Sequence, residues 1–145
     1  MNTLPKPRVP QREPEMKEVC LILSGESIVR ISIGSATAIP DSSKRWDAIW
    51  ENRGGLTEIV HTHPGGRLQF STEDLTTMQA VEAALGKPLH WSIVTEESCL
   101  TRFDGVDHRR DDTPWWLPVL REISFGRTIS PAPETQRGGE HASID

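Results

Sequence analysis

Glu58-Ile59-Val60-His61-Thr62-His63-Pro64, with seven residues between His63 and Ser71-Thr72-Glu73-Asp74, is the stretch whose reading decides the fold. Residues two apart on an α-helix point to roughly opposite sides, whereas on a β-strand they leave the same face about 6.5–7 Å apart. His61 and His63 can therefore share one ligand only from a strand. The run Glu58 to His61, with Ile59 and Val60, favours that conformation, and Pro64 gives it a reason to stop. Beyond the loop Pro64-Gly65-Gly66-Arg67-Leu68-Gln69-Phe70, Ser71 is an N-cap candidate. Leu75, Met78, Val81 and Leu85 form an apolar stripe, and Gly86 and Pro88 end the helix.

Upstream, Glu18-Val19-Cys20-Leu21-Ile22-Leu23 reads as a strand, turned at Ser24-Gly25-Glu26 into a second run, Ser27 to Ile33. Asp41-Ser42-Ser43 offers caps for a short helix through Trp46, Ile49 and Trp50, closed by Gly54-Gly55 before the histidine strand begins at Leu56. Downstream, Leu89 to Thr95 and Ser98 to Phe103 read as two more strands joined by Glu96-Glu97. Asp104 to Asp112 is charged and turn-like. Thr113 to Leu120 is apolar enough to dock on the domain, but Pro118 speaks against a regular helix there. Strand, strand, helix, strand, helix, strand, strand gives a mixed α/β domain over residues 16–126. Residues 1–15, with Pro5, Pro7, Pro10 and Pro14, read as a flexible extended arm, and 127–145 as a disordered polar tail.

Composition bounds the function. The chain of 145 residues suffices for one core, and its net charge of -5 gives no support to nucleic-acid binding. No apolar run approaches the ~20 residues of a membrane span, and no signal peptide is visible, so a soluble cytoplasmic protein is expected. Cys20 and Cys99 do not make a disulfide framework; in apolar strands they read as buried thiols.

Zinc favours imidazole nitrogen and carboxylate oxygen in a tetrahedron, and catalytic sites keep one position for water. His61, His63 and Asp74 supply three ligands and leave the fourth place open. Water there would have its pKa lowered toward ~7. The general base must then be a carboxylate from elsewhere: Glu18 at the mouth of the first strand is the best placed, with Glu26 and Glu58 as rivals. Each piece has a plainer reading. His-x-His is common on exposed strands, and Ser71 with Asp74 is a capping box that satisfies the first turn of its helix. One glycine-rich loop joins strand and helix, which allows the Asp to fold back beside both imidazoles.

With these residues in place, His61-x-His63-x7-Ser71-x-x-Asp74, preceded by Glu18-Val19-Cys20-Leu21-Ile22-Leu23-Ser24-Gly25, resembles the signature of the JAMM/MPN zinc metalloproteases over about residues 18–103. The resemblance implies a cytidine deaminase-like fold with a central mixed sheet flanked by helices. It implies one Zn2+ per chain on His61, His63 and Asp74, and Glu18 as the base that takes a proton from water and later returns it to the leaving amine. Ser71 would donate a hydrogen bond to the oxyanion. Members cleave after the C-terminal glycine of ubiquitin or ubiquitin-like proteins, whose tail is held as an added strand.

The N-terminal helix of many members is replaced here by the Pro-rich arm, and no long insertion follows the later strands. The resemblance therefore favours a small prokaryotic-type member acting on a single ubiquitin-like or sulfur-carrier partner, with E1-like and E2-like conjugation enzymes as companions, in an antiviral or other pathway. A RadC-type protein linked to DNA metabolism and a metal-free MPN scaffold are the other readings. Trp115-Trp116 reads as aromatic packing over the domain, and His90, His108 and His141 lack a companion at ligand spacing. Arg137-Gly138-Gly139 resembles a ubiquitin-like ending but reads first as flexible tail.

Overall fold

A computed structural model describes residues 16–35 and 42–126 and the backbone of 143–144. Its organisation follows from β1 (Val19–Ser24), whose residues are apolar at nearly every position rather than at every second one. Such a strand buries both faces. Cys20 and Ile22 join one cluster with Ala48 and Ile49 of α1 (Ser43–Glu51) and Met78 and Val81 of α2 (Thr72–Leu85). Val19, Leu21 and Leu23 join another, with Leu117, Leu120 and Phe125 of α3 (Leu117–Phe125). The result is a mixed α/β domain of three layers, with α1 and α2 on one face of the sheet and α3 on the other.

β1 pairs antiparallel with β2 (Ser27–Ile33) through the expected hairpin and, on its other side, antiparallel with β3 (Glu58–Thr62). β3 pairs in parallel with β4 (His90–Val94), and α2 supplies the crossover that a parallel pair requires. The Glu82 carboxylate of α2 accepts hydrogen bonds from Trp91 Nε1 (2.8 Å) and the Leu89 amide (2.9 Å), which fixes the helix against the strand it leads into. β5 (Cys99–Phe103) and β6 (Val106–Arg109) continue antiparallel, and the short β7 (Ser143–Ile144) lies parallel to β2 at the opposite edge. The strand order is β6-β5-β4-β3-β1-β2-β7.

Three segments differ from the expectation. Residues 104–112 are not only turn: Asp104 (φ 50°) and Gly105 (φ 77°) form a two-residue hairpin that leads into β6. Two successive positive φ angles match the twist of antiparallel strands, and Asp-Gly accommodates them readily. Pro118 does not prevent a helix, because it falls in the first turn of α3, where its missing N–H has no intrahelical acceptor to lose. Ser143–Ile144, within the tail expected to lack structure, pair with Arg30 and Ile31. Trp116 is buried in the α3 cluster and Trp115 packs against it, as aromatic cover for the sheet should. The Pro-rich arm, Asp41, Arg137-Gly138-Gly139 and His141 lie outside the described residues. Among the described residues no helix is long and apolar enough to cross a membrane.

Candidate metal centre

His61 and His63 leave β3 and its end on the face covered by α1 and α2, the same side as Ile59. Strand, loop and helix return Asp74 to them. His61 Nε2 lies 3.3 Å from Asp74 Oδ1, His63 Nε2 lies 3.4 Å from Asp74 Oδ2, and the two Nε2 atoms are 2.9 Å apart. Three ligand atoms at about 2.0–2.2 Å from a tetrahedral zinc stand roughly 3.3–3.5 Å from one another. The two His–Asp separations match that edge and the His–His separation is slightly shorter, so this trio can hold a metal ion.

The chemistry of the donors supports the same fit. His63 Nδ1 sits 3.0 Å from the Arg67 carbonyl oxygen, which only accepts, so the ring proton belongs on Nδ1 and the Nε2 lone pair points into the cluster. That lone pair meets a second imidazole nitrogen and a carboxylate, an arrangement that needs a cation between them. Burial disfavours charge on both partners. Even so, the Asp74 carboxylate and the Arg67 carbonyl raise the pKa of His63, and with protons on the rings in place of an ion, hydrogen bonds from His61 and His63 hold Asp74 far below the usual carboxylate range. Gly66 lets the loop pass close to His63: a Cβ there would stand 3.0 Å from that of His63 and would crowd it.

The capping box and the His-His-Asp cluster coexist. The Asp74 amide donates to Ser71 Oγ at 3.0 Å and the Ser71 amide to Asp74 Oδ2 at 2.8 Å, leaving Oδ1 turned to His61. Ser71 Oγ is thereby an acceptor within the cap, and its own O–H remains available to donate outward.

Glu18 precedes β1 on the same face as Cys20, and Cys20 is the register partner of His61, so two further residues set Glu18 across from His63. Burial raises the pKa of its carboxyl, His61 and His63 pull it down and Asp74 pushes it up again; the net is a rise. A carboxyl above its ordinary range, in reach of the charges of all three ligand candidates, is chemically suited to accept and return a proton. The rivals fall elsewhere. Glu26 is in the hairpin turn at the far end of β1, about 20 Å away at the strand rise. Glu58 leaves the opposite face of β3 and bonds Ser92 Oγ at 2.6 Å.

Burial also raises the pKa of Glu58, offset in part by Ser92, Arg110 and His90. A folded carboxyl with a raised pKa binds its proton more tightly than the unfolded chain does. Its stabilising contribution is complete below the unfolded value and is lost as pH rises through the folded one. Glu58→Gln should therefore flatten the dependence of Tm on pH from the ordinary carboxylate range upward, with the gain at the upper end, and leave metal content unchanged. A variant melting earlier than the wild type at pH 7 would contradict this.

Glu18, His61, His63, Ser71 and Asp74 line one open cleft of about 610 Å³ between α1 and α2, with Cys20, Arg45, Trp46, Ile49, Met78 and Trp91 among its walls. Arg45, Trp46 and Ile49 went unread as site residues, although their helix follows the hairpin that carries Glu18. Burial pushes the Cys20 thiol up to about 11, so it serves as a small apolar wall. His90 stacks on Phe103, away from the cluster. Among known proteins, the family model described as prokaryotic homologs of the JAB domain matches residues 9–111. No curated protein matches the chain.

Proposed function

The chain belongs to the prokaryotic JAB-domain family, and on that premise we propose that it is a zinc-dependent isopeptidase. It cleaves after the C-terminal glycine of a ubiquitin-like or sulfur-carrier protein, releasing it from a conjugate or trimming its precursor. The observation that carries this reading is the convergence of two Nε2 atoms and one carboxylate at tetrahedral spacing, with the Glu18 carboxyl on the same cleft. Bound zinc supplies a Lewis acid and lowers the pKa of water. Glu18 takes the proton of the attacking water and delivers it to the leaving amine. The free O–H of Ser71 donates to the oxygen that gains charge as the carbonyl carbon becomes tetrahedral.

The shape of the cleft supports an extended peptide as substrate. It opens to solvent, and Trp46, Ile49, Met78 and Val81 give it apolar sides. Conjugation enzymes of the E1 and E2 type, acting in the cytoplasm and in an antiviral setting, are the partners this reading names.

Purified protein should carry about one zinc per chain, and a chelator should abolish release of a ubiquitin-like protein from a lysine conjugate, with zinc restoring it. Cleavage that survives chelation would overturn the mechanism. A chain that takes up no zinc at neutral pH would instead be a non-catalytic JAB scaffold.

A further inference from the structure

The backbone ladder between β1 and β3 ends at Cys20 and His61, one residue before the site. The next facing pair is Val19 and Thr62, and there a side chain replaces the ladder: the Val19 amide donates to Thr62 Oγ1 at 2.9 Å. Thr62 stands between the two histidines in sequence but points to the other face, where it is fully buried beside α3. The Ser124 hydroxyl of α3, also fully buried, lies 2.7 Å from Thr62 Oγ1 and within hydrogen-bonding reach of the Lys17 carbonyl. The Lys17 amide in turn donates to the Ser124 carbonyl at 2.8 Å. The Glu18 amide donates to the Ser35 carbonyl at 2.7 Å, and the Glu18 carbonyl accepts from the Gly34 amide at 2.8 Å.

Three consecutive amides, those of Lys17, Glu18 and Val19, are thus held by three different parts of the fold. The contacts of Glu18 with Gly34 and Ser35 carry the β1–β2 pairing one step further, but nothing in the pairing of strands demands the other two. An apolar residue at position 62 or 124 would suit a face otherwise built from Val60, Val94, Leu117 and Leu120. Two buried hydroxyls in that setting are costly unless satisfied, and both are satisfied by the segment that carries Glu18.

We propose that Thr62 and Ser124 are positioning residues, which from beneath the sheet fix the Lys17–Val19 backbone so that the Glu18 carboxyl projects over the metal cluster. The proposal rests on the assignment of Glu18 as base. It makes α3, on the opposite face from the cleft, a working part of the site: the base is placed by a helix that never touches substrate. Misplacing a reacting group by about 1 Å can cost on the order of a hundredfold in rate.

The test uses the full chain loaded with zinc, in four forms: wild type, Thr62→Val, Ser124→Ala and Thr62→Ser. Thr62→Val keeps the shape and removes the acceptor. Thr62→Ser keeps the acceptor. Amide hydrogen exchange should rise at least tenfold at Lys17, Glu18 and Val19 in Thr62→Val and Ser124→Ala while Leu21 and Ile22 stay protected, and Thr62→Ser should restore it. Unchanged exchange at those three amides in both variants overturns the proposal. The second readout is cleavage of a ubiquitin-like protein carrying a fluorophore amide on its terminal glycine. In both variants kcat should fall about ten- to a hundredfold with KM and zinc content held, and neither change should lower the residual rate of a Glu18→Gln background. Variants with loosened amides and a wild-type kcat, or an undiminished further loss in that background, would also overturn it. Wild-type activity in Glu18→Gln itself would instead remove the assignment of the base, while the exchange measurement still decides whether the two hydroxyls hold the segment.

Discussion

Glu18→Gln should retain about one zinc per chain and lose turnover by about a thousandfold, within the range that positioned acid–base groups contribute. The carboxyl lines the cleft without belonging to the trio of metal-ligand candidates, so its removal leaves the two Nε2 atoms and Asp74 undisturbed. An amide at that position keeps the volume and one acceptor but cannot take a proton from water. The loss should fall on kcat, with KM for a ubiquitin-like conjugate little altered. Glu58→Gln is the matched control. It alters a carboxyl of the same strand system whose partner is Ser92, on the other face of the sheet. If Glu18→Gln turns over normally, the proton is carried by some other group and the proposed mechanism is wrong. If it loses zinc as well, Glu18 is a ligand rather than a base.

What could be read from the sequence divides along the range of the interactions. The strand at Glu58–Thr62, the loop, the cap at Ser71 and the helix to Leu85 are each specified within about a dozen residues. There the periodicity of 2 gives way to one of 3.6, and hydrogen bonds such as Ser71 to Asp74 are local. Their contiguity allowed the histidines and the carboxylate to be assigned to one cluster before any fold was known. The placement of Glu18 is different in kind. It depends on the antiparallel register of β1 with β3, forty or so residues away, and only the regular spacing of facing pairs sets it across from His63.

The misreadings have physical causes too. β6 is exposed along its whole length, so it lacks the alternation of apolar and polar residues by which a half-buried strand announces itself. Asp104-Gly105 was the available signal, since that dipeptide suits a two-residue hairpin whatever follows it. In α3, Pro118 was weighed as a breaker without regard to position; in the first turn it is compatible with the helix. The Thr62–Ser124 contact joins residues 62 apart through side chains of no special type, and no pattern along the chain marks it. Serine and threonine carry little information until the fold reveals which of them are buried.

Asp74 offers the sharpest separation of folding from chemistry, because one carboxylate serves both. Oδ2 accepts the Ser71 amide and so completes the cap, while Oδ1 faces His61. Asp74→Asn keeps an oxygen able to accept the Ser71 amide but removes the charge a divalent ion requires. Its zinc affinity should fall by well over a hundredfold, since even changes to groups that only support ligands cost 10–100-fold. Turnover should fall with it, and the metal-free variant should lose only the contacts of the carboxylate with His61 and His63, its capping contact kept. Asp74→Ala also removes the carboxylate half of the capping box, leaving the bond from its amide to Ser71 Oγ. It should bind zinc no better than the Asn variant and cost a further 0.5–1 kcal/mol or so of stability, the order of a lost capping contact. In a domain of this size that is a fall of roughly 2–6 °C in Tm. Melting curves in chelator, with zinc titrations of the same samples, read both quantities. Equal melting of the two variants would mean the cap contributes nothing, and tight zinc binding by Asp74→Asn would place the third ligand elsewhere. The expected split, with both variants losing the metal and the histidine contacts and only Ala losing the capping contact as well, follows from a helix whose first turn is braced by the same side chain that closes the His-His-Asp cluster.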